Sequence, residues 1–308
     1  MPRMILLALF ALGAFLVAAI AWAWTPDRPR GALEARYLAA PGDMMDVAGT
    51  RLHVRQSGQA DAPAVILLHG FGASLHSWEP WAEALSATHR VIRFDIPGFG
   101  LSPPDPGSDY SLARDIAVLE GLMDRLGLAR AALVGHSMGG KIAWHFAAKR
   151  PDRVSHLVLV APDGFAEPGK RYGEAPAVGG SLKLMTVFLP RPVLRMTIAP
   201  AYANPARLDD VTLTRYHDMM LAPGARGAML ARLSQAVLED PAPLLPRITA
   251  PVLLLWGEDD RMIPASHAAD YMRFLPGAEL VRIGGLGHVP HEEDPARSLP
   301  PVVAFLAR

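Results

Sequence analysis

The stretch Gly135-His136-Ser137-Met138-Gly139-Gly140-Lys141-Ile142 (GHSMGGKI) decides how this chain is read. As G-x-S-x-G it is a serine on a sharp strand-to-helix turn. As G-x-x-x-x-G-K it approaches a phosphate-binding loop. Both readings need an apolar strand before it and a helix after it, and AALV (131–134) and KIAWHFAAKR (141–150) serve either. A phosphate loop also needs Ser or Thr after the lysine to hold Mg²⁺, and Ile142 stands there instead. The serine reading fits better, because Gly135 and Gly139 remove side chains where a tight turn would clash and Gly140 adds clearance at the helix start.

A serine hydroxyl is a weak nucleophile until a base takes its proton, so a histidine oriented by a carboxylate must come near it. Of eleven histidines, His288 in GGLGHVPHEED follows the apolar run AELVRI on a glycine-rich loop and can reach across the end of a sheet. His291 and His136 are its local rivals; His136 precedes the serine, so its side chain is expected to leave the turn in another direction. The HVPHEE run also resembles a metal site, but Pro290 argues against the regular helix that a two-histidine face would use, and no metal is expected. An oxyanion forming beside Ser137 would lie near the free N–H groups of the following helix, Met138 first. The second donor is expected from HGFG (69–72), where the Phe71 N–H can point at the same oxygen.

Away from the elbow, MMDVAGTRLHVRQSG alternates apolar and polar residues around Gly49 and predicts a hairpin. Short apolar runs at 63–68, 90–95, 131–135, 154–160, 250–256 and 278–283 read as buried strands. Between most of them lie helical patterns such as SLARDIAVLEGLMDRLGL (111–128). The alternation predicts an α/β protein with a mostly parallel sheet covered by helices on both faces. It breaks after Ala161: residues 162–243 carry apolar helical fragments punctuated by prolines and no strand signal, which predicts an inserted helical cap. The core then comprises 43–161 and 244–308, and 25–42 reads as a linker.

Lys+Arg and Asp+Glu both number 30, so no basic excess supplies the footprint of a nucleic-acid binder, and none is expected as a partner. Cysteine is absent, which excludes disulfides, thiolate metal sites and a cysteine nucleophile. Met4 to Trp24 runs 21 residues without a charge. As a helix this segment would reach about 30 Å, one hydrocarbon thickness, and Trp22 and Trp24 would stand at the interface. Residues 1–24 are therefore expected to form a transmembrane anchor. The alternative is a cleaved signal, which would leave the protein secreted or periplasmic, because Ala19-Ile20-Ala21 and Ala21-Trp22-Ala23 resemble cleavage sites. A chain beginning near Arg30 is expected to be soluble and active, since every candidate site residue lies after position 68.

With these stretches in hand, residues 43–308 resemble the α/β-hydrolase superfamily. The resemblance rests on HGFG, DIPGFGLS (95–102), GHSMGG, LLLWGEDDRMIP (253–264) and GLGHVPHEEDP (285–295), and on their order. It implies an α/β-hydrolase fold, a serine esterase or lipase-like activity on a small-molecule ester and no cofactor. It further implies Ser137 as nucleophile, Asp260 as acid and His288 as base, with Phe71 and Met138 at the oxyanion hole. The superfamily's G-x-x-D with a proline four residues on fits Asp260 and Pro264, whereas Asp259 falls one residue short. Asp95 and His69 are implied as organisers of their loops. Methionines at 185, 196, 219, 220 and 229 point to an adaptable apolar acyl pocket, or simply to packing of the cap. A second reading is a carbon–carbon bond hydrolase of aromatic breakdown. Such enzymes typically carry tryptophan after the base and asparagine before the serine, where this chain has Val289 and His136. A non-catalytic binding protein on the same fold is the alternative of another class.

Overall fold

The computed structural model describes residues 2–166 and 171–308. Eight strands, β1 (Met44–Val47), β2 (Thr50–Ser57), β3 (Ala64–Leu68), β4 (Arg90–Phe94), β5 (Ala131–His136), β6 (Val154–Val160), β7 (Val252–Gly257) and β8 (Glu279–Ile283), form one sheet in the order β1-β2-β4-β3-β5-β6-β7-β8. The predicted hairpin is there: β1 and β2 pair antiparallel through Ala48 and Gly49, both at positive φ, the turn geometry that suits the twist of the strands. β2 meets β4 antiparallel, and every pairing from β4 through β8 is parallel.

Alternation along β3 shows why the central strands are apolar throughout. Ile66 and Leu68 pack into the core layer that holds Trp144 and Trp256, while Val65 and Leu67 pack into the layer that holds Trp78 and Trp81, so each face of the sheet has its own cover. The helix Leu112–Arg125 lays Ile116, Leu119, Leu122 and Met123 on the sheet, and Ser111 caps it by accepting from the Arg114 N–H.

Between β6 and β7 the described residues contain helices and no named strand; the longest are Asp210–Met220 and Ala225–Gln235. Their attachment to residues 25–42 differs from the linker expectation. That stretch holds the helix Arg30–Tyr37, whose Leu33 is buried among Leu101, Met219, Ala222 and Ala225. Asp218, wholly buried, has Arg28 within 3.1 Å and accepts from Arg36 and from the Tyr37 hydroxyl at 2.9 and 2.7 Å. Asp27 accepts from the buried Arg226 at 2.6 Å and from the Gly224 N–H. Composition rich in proline and arginine reads as linker locally, but these polar contacts bridge some 180 to 200 positions of sequence and no local pattern carries them.

The helix Pro2–Ala23 is long and apolar enough to cross a membrane over Arg3–Ala23, and that span is unburied. It runs directly into residues 25–42, a strap over the helices between β6 and β7: Trp24 pairs with Phe188 and the Thr25 N–H donates to Val187 O.

A chain beginning at Trp24 keeps the contacts of residues 24–42, whereas one beginning at Arg30 leaves the Arg226 guanidinium buried without its carboxylate. The shorter chain is expected to be less stable by about 1–3 kcal/mol, the cost of leaving a buried polar group without its partner, since Asp27 itself is half-exposed. Melting curves of the two chains check this; equal midpoints would show that residues before Arg30 contribute nothing.

Candidate active site

β5 ends at His136 and the next helix, Met138–Lys149, begins at once, so one residue must make the turn. Ser137 makes it at φ 51° and ψ −117°, a conformation non-glycine residues rarely adopt. Its backbone is fixed on both sides: its N–H donates to Val160 O, and its carbonyl accepts from Lys141 and Asp163. A Cβ on Gly135 would sit 2.4 Å from Gly139 O, and one on Gly139 would sit 2.4 Å from Leu68 O and 2.5 Å from His69 O. The glycines of the motif are therefore set by close approach of the helix start to β5 and to the loop after β3.

That loop, HGFG, lies against the elbow: a Cβ on Gly70 would be 3.2 Å from Ser137 Cβ. Met138 opens its helix, so its N–H has no intrahelical acceptor. The Phe71 N–H makes no backbone hydrogen bond among the described residues. His69 holds the loop, accepting from the Ile96 N–H at Nε2 and donating from Nδ1 to Gly70 O; burial keeps its pKa below the usual value, so it stays neutral.

Opposite the elbow, the loop after β8 presents His288. Its Nδ1 is 2.8 Å from Asp260 Oδ2, and this is the one hydrogen bond of its side chain among the described residues, which leaves Nε2 without a partner. Asp260 is held in turn: its Oδ1 accepts from the Met262 and Ile263 N–H groups. Asp259 faces elsewhere and accepts from the Gly285 N–H. Both sequence alternatives for the carboxylate are thereby separated by geometry.

Three residues take parts that the sequence did not announce. His136 does leave the elbow away from Ser137, but it crosses to the base loop: its Nε2 hydrogen-bonds His288 O at 2.8 Å and its ring lies 4.7 Å from that of His288. Burial, with the neighbouring His291 and His288, holds its pKa well below the usual value. His291 stacks on Trp78 at 4.1 Å, and burial lowers its pKa to about 3, so it is a packed aromatic. Pro290 opens the short helix Pro290–Glu293, where its missing N–H costs nothing, and His288 lies before that helix, so His288 and His291 share no helical face. Among the described residues no cluster has the makings of a metal site. Glu293 accepts from Gly287, Ala203 and Asn204 N–H groups, and His288 N–H donates to Ala201 O, so the base loop is tied to the segment 201–204.

Of the five methionines, Met219, Met220 and Met229 are buried, and Met220 and Met229 come up to the Gly72 turn, where an added Cβ would be 3.0 and 3.7 Å from their methyl groups. Met185 is partly buried, and Met196 points outward.

A strained serine, an imidazole held by a carboxylate and N–H groups without backbone partners at a helix start and a glycine turn are the kinds of group that nucleophilic attack on a carbonyl requires. The comparisons agree with this class. A family model described as the alpha/beta hydrolase fold matches residues 63–178 and 221–295, and the chain belongs to that family. It is 35% identical over 248 residues to the magnesium-chelatase 30 kDa subunit of Rhodobacter capsulatus, covering 78% of this chain and 85% of that protein. It is 30% identical over 272 residues to a 2-hydroxy-6-oxononadienedioate/2-hydroxy-6-oxononatrienedioate hydrolase of Burkholderia vietnamiensis, covering 84% and 91%. The crystal structure of a membrane phospholipase A, described as a bacterial virulence factor, superposes with a TM-score of 0.73 at 26% identity over 100% of this chain and 98% of that one.

Asp95, at the start of DIPGFGLS, organises the loops behind the site. It accepts from the Leu75 and Leu101 N–H groups at 2.7 and 2.8 Å and pairs with His53 at 2.8 Å. Burial alone would raise its pKa; the pairing with His53, together with the nearby His69 and His76, outweighs burial and holds it down at about 2, from 3.8. A depressed carboxyl stabilises the fold above its unfolded pKa and loses that contribution as pH falls from about 4 towards 2, some 2 kcal/mol in all. Asp95→Asn is expected to lower stability at pH 7 and to flatten the acid limb of a stability-against-pH curve; an unchanged limb would mean that Asp95 is not the group responsible.

Proposed function

We propose that the protein is a serine hydrolase that cleaves carboxylic esters through an acyl-enzyme. Ser137 is the nucleophile, His288 the base and Asp260 its orienting acid. The observation that supports the reading is the 2.8 Å contact of Asp260 with His288 Nδ1, which leaves Nε2 without a partner on a loop that His136, the neighbour of Ser137, also touches. In this reading Ser137 Oγ attacks the ester carbonyl while His288 Nε2 takes its proton, and Asp260 stabilises the imidazolium. The Phe71 and Met138 N–H groups receive the oxyanion. The intermediate collapses with the proton passed to the departing alkoxide, and a water deprotonated by His288 then releases the acid.

Residues 162–243 act as a cap over this site in the same reading, and the buried Met219, Met220 and Met229 favour apolar acyl groups. Arg3–Ala23 is assigned as a membrane anchor, supported by its length, its composition and its exposure. A second reading, carbon–carbon bond hydrolysis, draws on the Burkholderia vietnamiensis relative. Val289 after the base and His136 before the serine weigh towards the ester.

Two measurements separate these readings. A fluorophosphonate probe is expected to label wild type and not Ser137→Ala. A panel of esters from acetyl to hexanoyl, lactones and a vinylogous 1,5-diketone is expected to show fastest turnover on the longer esters. Labelling without ester turnover, with cleavage of the diketone, would transfer the assignment to the second reading, and no labelling at all would leave a binding protein.

The acid assignment has its own test. Asp260→Asn is expected to keep the melting temperature near that of wild type and to lower kcat by as much as about 10⁴-fold, because the amide favours the wrong imidazole tautomer. Asp259→Asn is expected to change kcat by less than about tenfold, as for a turn carboxylate without a transition-state role. The reverse ranking in folded variants would move the role to Asp259.

A further inference from the structure

The strap that follows the apolar helix brings a set of uncovered apolar side chains to the same place. Through the Trp24 to Phe188 pairing and the Thr25 N–H to Val187 O bond, residues 187 and 188 are fixed beside the end of that helix, and the Leu189 N–H donates to Thr25 Oγ1 at 2.6 Å. Around this junction Leu184 is 58% exposed and Val187 44%. The next helix, Arg191–Ile198, is about 12 Å long at 1.5 Å per residue and starts two residues beyond the junction. It buries Leu194 but leaves Val193 and Met196, three apart and so on one face, uncovered; Met196 is 76% exposed. Singly exposed apolar residues are ordinary, whereas a group of them held against the mouth of one apolar helix is not.

We infer that Leu184, Val187, Val193 and Met196 form a second membrane-seating surface, occupied by the acyl and headgroup boundary of a phospholipid bilayer. The inference rests on the reading of Arg3–Ala23 as an anchor. A 21-residue apolar helix fills one hydrocarbon thickness, so Trp24 stands at the lipid boundary, and whatever is hydrogen-bonded to residues 24 and 25 is held at that level. Charge agrees with this placement. In the strap, Arg28 and Arg36 share the single carboxylate of Asp218, which leaves a positive excess towards anionic headgroups. Seated in this way, residues 182–198 would meet substrate from the bilayer, which points to lipid-soluble esters as the class delivered to the site.

The absence of cysteine makes the test clean, since one introduced thiol takes one label. The full chain is reconstituted in nanodiscs of phosphatidylcholine and phosphatidylglycerol. An environment-sensitive fluorophore is placed in turn at Met196→Cys, Leu184→Cys, Leu12→Cys within the anchor and the exposed Asp61→Cys before β3, and doxyl-labelled lipid serves as quencher. The labels at 196 and 184 are expected to lose most of their emission, as the label at 12 does, while the label at 61 keeps its own. Labels at 196 and 184 that behave like the one at 61 overturn the seating surface, even with the anchor label quenched. An unquenched label at 12 overturns the anchor reading, and the seating surface with it. Because residues 184 and 196 are exposed, the substitutions do not touch the core, and two positions guard against one failing.

Discussion

The backbone of Ser137 is the constraint on which the rest of the structure depends. A non-glycine residue at φ 51° costs of the order of 1–3 kcal/mol and persists only where its surroundings leave no alternative. Here the surroundings are the sheet itself: β6 takes the Ser137 N–H, the first turn of the helix and Asp163 take its carbonyl, and β3 approaches so closely that only glycine fits at 139. The side chain is thereby pushed out at the carboxyl edge of the strands. An isolated peptide of the same sequence would relax, so the placement of the half-buried hydroxyl is a property of the parallel pairing of β3, β5 and β6.

The base is held by a different principle. His288 stands on a loop whose position is shared among the core, through Asp260 and His136, and the segment after β6, through Ala201 O and the Glu293 carboxylate. Glu293 is buried and takes three N–H groups, and its neighbour Glu292 is paired with Arg215 and the Tyr216 hydroxyl. Burial raises the Glu292 pKa against the opposing charge of Arg215, which marks a desolvated contact between the helical segment and the base loop. The imidazole loop thus shares its hydrogen bonds with the segment 201–216, while the serine backbone is bonded chiefly to the sheet and its own helix.

Most of the architecture was legible because it is written in short-range patterns. Gly49 between alternating residues gave the hairpin, the apolar runs gave the strands, and the G-x-S-x-G spacing gave the elbow, all within windows of a dozen residues. Asp260 was distinguishable from Asp259 by its place after the glycine turn, and the structure turns the two carboxylates to different partners. What escaped was long-range. His136 finds His288 across 152 positions, Glu293 finds Asn204 across 89, and Arg226 finds Asp27 across 199. A polar side chain in a loop looks solvated until its distant partner is known. For the same reason residues 25–42 read as linker.

The strand order has a kinetic side. β6 and β7 are neighbours in the sheet, yet residues 161–251 lie between them, so their pairing closes a loop of some ninety positions. Loop-closure entropy rises only logarithmically, by about 0.6 kcal/mol per doubling, so the excursion costs little at equilibrium. Rates are more sensitive, because that entropy is lost before the distant pairing gives anything back. The half of the sheet that carries Ser137, β3 to β6, is assembled from connections of modest length, whereas the strands that deliver Asp260 and His288 must wait for the long loop to close. During synthesis from the amino terminus the two halves of the site thus become available at different times, with the hydroxyl side in place before its imidazole.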